Sequence, residues 1–415
     1  MLLKIAIRSI FRHKRRNALI VITIIIGTSV YITMDSLYNG IDRMFVEGVV
    51  DFSDSSIVVY PEDYDKNRRG FPVNKGVKDF NCIDEVIREK FKYLETTYRT
   101  QFLCEVIFGA KSKYVTGIAV DPERDKRVFR VSEKVKGEYL GNKGEILIGG
   151  FLAKSLGINV GEYVTVSART VDGTYNAIDF RVVGVIETGN VLVDESGIIM
   201  SYSSANDLLS LRDLKTSFHI KVEWHKGESL SSYVERVKRI ASVLEPQLTG
   251  YKVYTFADLH GYFLELMRQG GVDHYFLMAI ILIIAGVGIA NGVLMSIYER
   301  VKEIGILMAM GMHPKQIRAL FVLEGLIVGI VGGIVGLFTG GMLNILLVSY
   351  GFDFSIFGGS GKEWGMPVWG VIYGVWNVWG FVVSFSFVFL VSLISAYLSS
   401  RHISKFKVID CLRFV

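Results

Sequence analysis

Three stretches of this sequence are too apolar to stay in water. Tyr275 to Ile297 runs 23 residues without Asp, Glu, Lys or Arg, Ala319 to Tyr350 runs 32 with Glu324 as its one charge, and Trp364 to Leu398 runs 35 with none. About 20 apolar residues span the hydrocarbon of a bilayer, so each predicts a membrane helix. A fourth candidate, Asn17 to Met34, has 18 uncharged residues and stays apolar past Asp35 to Ile41. It follows the basic run "RHKRR" and is longer than the apolar core of a secretory signal. "VYITMDSLYNG" offers no small-residue cleavage site, so a retained anchor is expected.

Orientation follows from Lys and Arg close to the span ends. Residues 1–16 carry six (Lys4, Arg8, Arg12, Lys14, Arg15, Arg16) and no acid, the 298–318 loop carries four, the tail after Leu398 carries four, and the 351–363 loop carries only Lys362. The expectation is an inner (cytoplasmic) membrane protein with both termini and the 298–318 loop cytoplasmic. Residues 42–271 would then lie on the far, periplasmic side. That segment balances 31 Lys plus Arg against 33 Asp plus Glu, while the rest of the chain has 15 against 8. The net charge of +5 is thus a topology signal, and nothing in it points to nucleic acid.

The expected organisation is a cytoplasmic amphipathic helix over 1–16, spans at 17–41, 272–297, 319–350 and 370–398, a large domain at 42–271, a cytoplasmic element at 298–318, an outer loop at 351–369 and a cytoplasmic tail at 399–415. Within 42–271, "KYVTGIAV", "YVTVSART" and "FRVVGVIE" alternate like strands, while "CIDEVIREKFKYL" and "LSSYVERVKRIASVLE" have helical periodicity. The fold class is an α+β membrane protein: four transmembrane helices with an extracytoplasmic α+β domain, in one or two lobes, between the first and second. Trp364, Trp369, Trp376 and Trp379 cluster where an interfacial belt belongs. Cys82 and Cys104 fall in the same domain and are either paired or free; Cys411 is in the tail.

Gly325, Gly329 and Gly333 recur every four residues, as do Gly332, Gly336 and Gly340. Such stripes let helix backbones approach in lipid, within one bundle or across a dimer seam. Lys4, Arg8, Arg12 and Arg16 recur at the same interval, as on a short helix lying on a leaflet.

Candidates for chemistry are few. In "GGSGKEWG" the position five before Gly361 is Ile356 where a phosphate loop needs Gly, and Glu363 replaces the Ser or Thr. The seven histidines show no HExxH and no Cys/His cluster, so no metal site, no catalytic residue and no bound cofactor are expected. Intramembrane acids are functional candidates; Asp35 faces either an aqueous cavity or the headgroups, and Glu324 is read as bonding a neighbouring helix near the span end.

The order of one basic-flanked span, a large domain and three clustered spans resembles the permease subunits of ABC transporters of the MacB, FtsX and LolC/LolE group. "LYNGID", with Asn39 and Gly40, is similar to the end of the first span in LolC/LolE proteins. "GEILIGGFLAKSLGINVGEYVTV" and "VVGVIETGNVLVDESGIIM" are similar to their domain, and "ERVKEIGILMAMGMHPKQI" to the family's cytoplasmic coupling helix. The tail "CLRF" also fits, without the usual preceding proline, and "TVDGTYNAID" lacks the proline-containing hook of LolC.

The resemblance implies a MacB-like periplasmic core domain and a permease that itself hydrolyses nothing. Its partners would be two copies of an ABC ATPase holding ATP and Mg, a second permease, identical or homologous, a lipoprotein substrate and a periplasmic lipoprotein chaperone. It assigns ATPase coupling to Glu299, Arg300, Glu303, Ile304, Gly305, Leu307, Met308 and Gly311, with Ile304, Leu307 and Met308 filling the partner's groove. A lipid cavity is expected at Tyr31, Met34, Leu37, Tyr38, Phe276, Met278 and Ile280, and helix packing at Gly325, Gly329, Gly333 and Gly336. The leading reading is extraction of lipoproteins from the inner membrane. MacB-like efflux is the first alternative, although MacB proteins carry an ATPase domain before the first span. FtsX-like signalling to a cell-wall hydrolase is the second.

Overall fold

A computed structural model describes residues 2–12, 14–78, 80–91, 93–188, 194, 197–225, 228–353 and 371–401. Its helices of eight or more residues are α1 Leu2–Arg12, α2 Lys14–Phe52, α3 Asn81–Lys90, α4 Tyr202–Leu209, α5 Leu230–Leu244, α6 Gly261–Tyr298, α7 Val301–Ala309, α8 Pro314–Tyr350 and α9 Val378–Arg401. The described residues of Met1–Ile41, Met267–Asp353 and Val371–Val415 form one compact unit, and those of Asp42–Leu266 form another.

In the helical unit, α2 and α8, the second half of α6 and α9 are each long and apolar enough to cross a membrane. α2 carries on to Phe52, beyond its apolar run, with no proline to stop it, and Ser55, at φ 59°, turns the chain away soon after. In the described part of the last apolar run, residues 371–398, the helix starts at Val378. Val371–Ile372 (β12) pairs with Phe352–Asp353 (β11), and the Gly374 amide donates to the Leu347 carbonyl, so the residues ahead of the helix from 371 on are extended chain. Hydropathy alone cannot separate the two conformations. Trp364, Trp369 and Cys411 lie outside the described residues; Trp376 and Trp379 are exposed at the start of α9.

The sheet unit contains β1 Ile57–Pro61, β2 Glu95–Phe108, β3 Lys111–Val120, β4 Val135–Gly137, β5 Glu145–Gly149, β6 Tyr163–Arg169, β7 Tyr175–Ile186, β8 Gly197–Ser201, β9 Ser217–Lys221 and β10 Tyr251–Thr255. Two lobes share the long strand β2. Its second half pairs with β3 and with β6, and the ring closes through β8, β5 and β7 into a six-stranded barrel. Strand alternation places Phe102, Cys104, Val106, Val164, Val166, Ala168 and Phe180 inside. The first half of β2 pairs with β9 in the order β10-β1-β9-β2, with α3 following β1 and α5 between β9 and β10, a split βαβ arrangement. Cys104 is sealed in the barrel, where burial pushes its thiol up to about 12, and Cys82 is exposed; both are free.

Close packing leaves little slack in the barrel. A Cβ on Gly117 would strike the Phe102 ring, so Gly117→Val should cost about 1–3 kcal/mol by overpacking and lower the melting temperature of the full chain. An unchanged melt would show that the ring can move aside.

Beneath the end of α2, Arg99 is fully buried against Asp125 in a two-pronged pair (2.8 and 2.9 Å), lies over the Phe129 ring at 3.2 Å and donates to the Ser53 carbonyl. His219 sits beside it with Nε2 2.9 Å from Ser217 Oγ and Nδ1 3.1 Å from the Asp54 carbonyl. Burial, with repulsion from Arg99 second, pushes this imidazole from 6.5 down to about 3. The unfolded chain therefore takes up a proton that the folded chain refuses. The stability held above pH 6.5 should drain away as pH falls toward 3, at up to about 1.4 kcal/mol per pH unit. His219→Gln should flatten that dependence in a denaturant titration; parallel wild-type and variant curves would rule the cause out.

Candidate functional site

The segment between the second and third apolar helices is built by ordinary helix punctuation. α7 ends where Gly311 adopts φ 90°, with the Gly311 amide donating to the Met308 carbonyl and the Met312 amide to the Leu307 carbonyl. His313 then caps α8 in a reciprocal box with Gln316, and Pro314 occupies the first helical position.

Inside this turn Arg300 is buried. Its Nε donates to Glu303 at 2.8 Å, its Nη1 to Glu324 in α8, and its guanidinium lies 4.7 Å from the Phe321 ring centroid. A buried cation holds only if its partners stay, so Arg300 pins α7 to α8. Ile304 is fully buried with Ile297, Ile317 and Phe321, and Leu307 and Met308 pack on that cluster. The second Glu324 oxygen has no hydrogen-bond partner among the described residues. It borders a void of about 20 Å³ lined also by Asn17 and Ser296, room for one water.

The helix therefore divides the expected coupling residues between two sides. Arg300, Ile304 and Gly305 turn into the bundle, whereas Glu299, Lys302, Ile306 (52% exposed), Met310 (78%) and Gly311 face out. Ile306 and Met310 were not among the expected residues. The signal was available in the four-residue spacing Lys302, Ile306, Met310, but an isolated turn of helix gives no clue which side its own bundle takes.

The glycine stripes face inward as well. A Cβ on Gly325, Gly329 or Gly333 would strike Ala396, Ser392 or Phe385 of α9, and one on Gly332, Gly336 or Gly340 would strike Ile24, Thr28 or Ile32 of α2. α8 is thus the shared neighbour of both helices, packed so closely that a larger residue would force the facing side chains to shift.

A second polar pin lies one turn beyond the glycines. Asp35 accepts from Asn377 Nδ2 (2.9 Å) and lies 3.2 Å from His274 Nε2, on which the Tyr38 ring stacks at 4.0 Å. The adjacent Ser36 donates to Asn344 of α8. One turn of α2 is thereby tied to α6, to α8 and to the residue before α9. Of the expected cavity residues, Tyr31 and Met278 are packed with Ile32, Tyr38 is stacked and Leu37 half-buried, while Met34, Phe276 and Ile280 are exposed. A groove of about 340 Å³ lies deeper along the same helix pair, lined by Thr23, Ile26, Gly27, Val30, Ile281, Ile284 and Ala285.

The Arg300 pin is testable by a double-mutant cycle. Arg300→Gln strands a buried carboxylate and should cost about 3–5 kcal/mol in unfolding of the full chain, whereas Arg300→Gln with Glu324→Gln should cost less than the sum of the single changes. Strict additivity would mean that the two groups do not hold each other.

Residues 17–240 match the MacB-like periplasmic core domain, and residues 275–408 match the FtsX-like permease C-terminal model. An uncharacterized ABC transporter permease of Methanocaldococcus jannaschii is 25% identical, over 98% of this chain and 96% of its own length. The macrolide export ATP-binding/permease protein MacB of Neisseria meningitidis is 20% identical over 85% of this chain, which spans 54% of MacB's length. The extracellular domain of the transporter YknZ from Gram-positive bacteria aligns with a TM-score of 0.29 at 11% identity, covering 48% of this chain and 100% of that domain. With a core-domain match over more than half its length, and a membrane unit held by a glycine-packed waist between two buried polar pins, this chain belongs to the ABC transporter permeases of the MacB/FtsX type.

Proposed function

We propose that this permease transmits work from a separate cytoplasmic ATPase, gripping α7, to the sheet unit on the far side of the membrane, and that its cargo is a lipid-anchored protein drawn out of the bilayer. The observation that carries the mechanical part is the buried Arg300 pin. Because Arg300 bonds both Glu303 and Glu324, a push on α7 moves α8 with it, and the glycine contacts pass the displacement to α2 and α9 without slack. The outward edge, with exposed Ile306 and Met310 following Glu299 and Lys302, offers apolar side chains beside charge, as a docking helix offers a groove.

An acylated cargo of this kind is never fully bared to water. At about 0.8 kcal/mol per methylene, three acyl chains with roughly 45 methylenes would cost on the order of 36 kcal/mol if exposed to water. The apolar groove between α2 and α6 shelters hydrocarbon along part of that route. The likeness to a protein named for macrolide export supports efflux as the second reading.

Photocrosslinkers placed at Ile306 and Met310 should capture the ATPase, and one at Ile304 should not; the reverse pattern would sink the docking edge. Ile306→Asp should weaken ATPase association by roughly thirtyfold, as for an interface hot spot of about 2 kcal/mol. For the cargo, depletion of the permease should strand acylated proteins in the membrane. Normal release of those proteins together with lost drug export would overturn the cargo assignment and leave the mechanical one standing.

A further inference from the structure

α1 is held in one rotation. Ala6 is fully buried, Ile10 packs on the cluster around Ile304 and Phe321, and Asn17 Nδ2 donates to the Ile10 carbonyl at 3.0 Å, fixing the corner between α1 and α2. What remains outside is ordered. Leu3 (54% exposed), Ile7 (42%) and Phe11 (75%) form an apolar stripe at four-residue spacing, and Lys4, Arg8 and Arg12, each one residue later, form a parallel exposed cationic stripe. Lys14 and Arg15 continue the charge past the corner. None of these five cations makes an ion pair among the described residues, and residues 1–16 contain no acid.

We propose that this face of α1 is a binding surface for anionic phospholipid in the leaflet that borders the start of α2. The two stripes match the two layers of that leaflet. Leu3, Ile7 and Phe11 reach the acyl boundary, while the long stems of Lys4, Arg8 and Arg12 lie along it and carry their charges to the headgroup phosphates. A zwitterionic headgroup offers the same phosphate beside a compensating ammonium, so the unneutralised cations select for net negative lipid. The site bears on coupling because Asn17, which anchors α1, also lines the void beside Glu324. A lipid seated on α1 therefore steadies the corner behind the Arg300 pin. The inference rests on the membrane-spanning unit alone and not on any cargo.

The test uses the full chain in detergent, titrated with phosphatidylglycerol or phosphatidylcholine and read by native mass spectrometry. Phosphatidylglycerol should bind at least roughly a hundredfold tighter. Each cation close to an anionic surface multiplies binding about fivefold, so K4Q/R8Q/R12Q should weaken phosphatidylglycerol roughly a hundredfold and leave phosphatidylcholine unchanged. All three side chains are exposed, so folding should be unaffected. Ile7→Ser with Phe11→Ser keeps every cation and should still weaken phosphatidylglycerol by more than tenfold. Equal binding of the two lipids, or wild-type affinity in the triple variant, overturns the proposal. So does wild-type affinity in the serine variant with displacement of lipid by inorganic phosphate, which would mark a free-anion site instead.

Discussion

In hydrocarbon, helices gain nothing from hiding apolar surface, because the lipid is as apolar as their neighbours; only close backbone approach and polar bonds hold them together. The helical unit uses both. α8 meets α9 through Gly325, Gly329 and Gly333 and meets α2 through Gly332, Gly336 and Gly340, so one helix carries two glycine faces. At either end of this dry waist stands a charged group that cannot be released into lipid without large cost: Glu324 with Arg300, and Asp35 with His274 and Asn377. A bundle clamped in this way moves as a body more readily than it deforms. That is the mechanical property a permease needs if work enters at α7.

The sheet unit meets the same demand by different means. Its barrel is closed, so it has no free edge to fray, and the split βαβ lobe grows from the same strand β2. Where α2 ends, the chain runs into the most deeply buried polar network of this unit, with Arg99 on the Ser53 carbonyl and His219 on that of Asp54. These hydrogen bonds tie the chain just past α2 to β2 and β9. The Ser217–His219 contact in this network has the spacing of a nucleophile and its base, but both side chains are sealed from solvent, and the pair serves the joint.

Much of this was legible in the chain. Uncharged runs gave the four helices because length and charge suffice for that inference, and alternation gave strands such as Tyr163–Arg169, whose outward side chains are polar. The charged turn at 299–311 stood out between two apolar runs. Its facing was not legible, because Ile304 and Ile306 are equally apolar and only the position of α8 separates them. Asp35 was visibly anomalous, but its partners His274, Asn377 and, through Ser36, Asn344 are hundreds of residues away and carry no local signal. The strand pairing ahead of α9 was hidden for the opposite reason: a uniformly apolar run contains no mark of where extended chain gives way to helix.

By itself, then, the order of residues determined how many helices can enter a membrane, where charge gathers between them, and that a mixed domain separates the first from the second, since each depends on composition over a short window. Which side of α7 faces outward, which helix each glycine stripe serves, what satisfies Asp35 and Glu324, and whether the strands close into a barrel were decided only in three dimensions. Those outcomes depend on pairing between distant segments, and close packing and the desolvation of charge select among partners that no local pattern can tell apart.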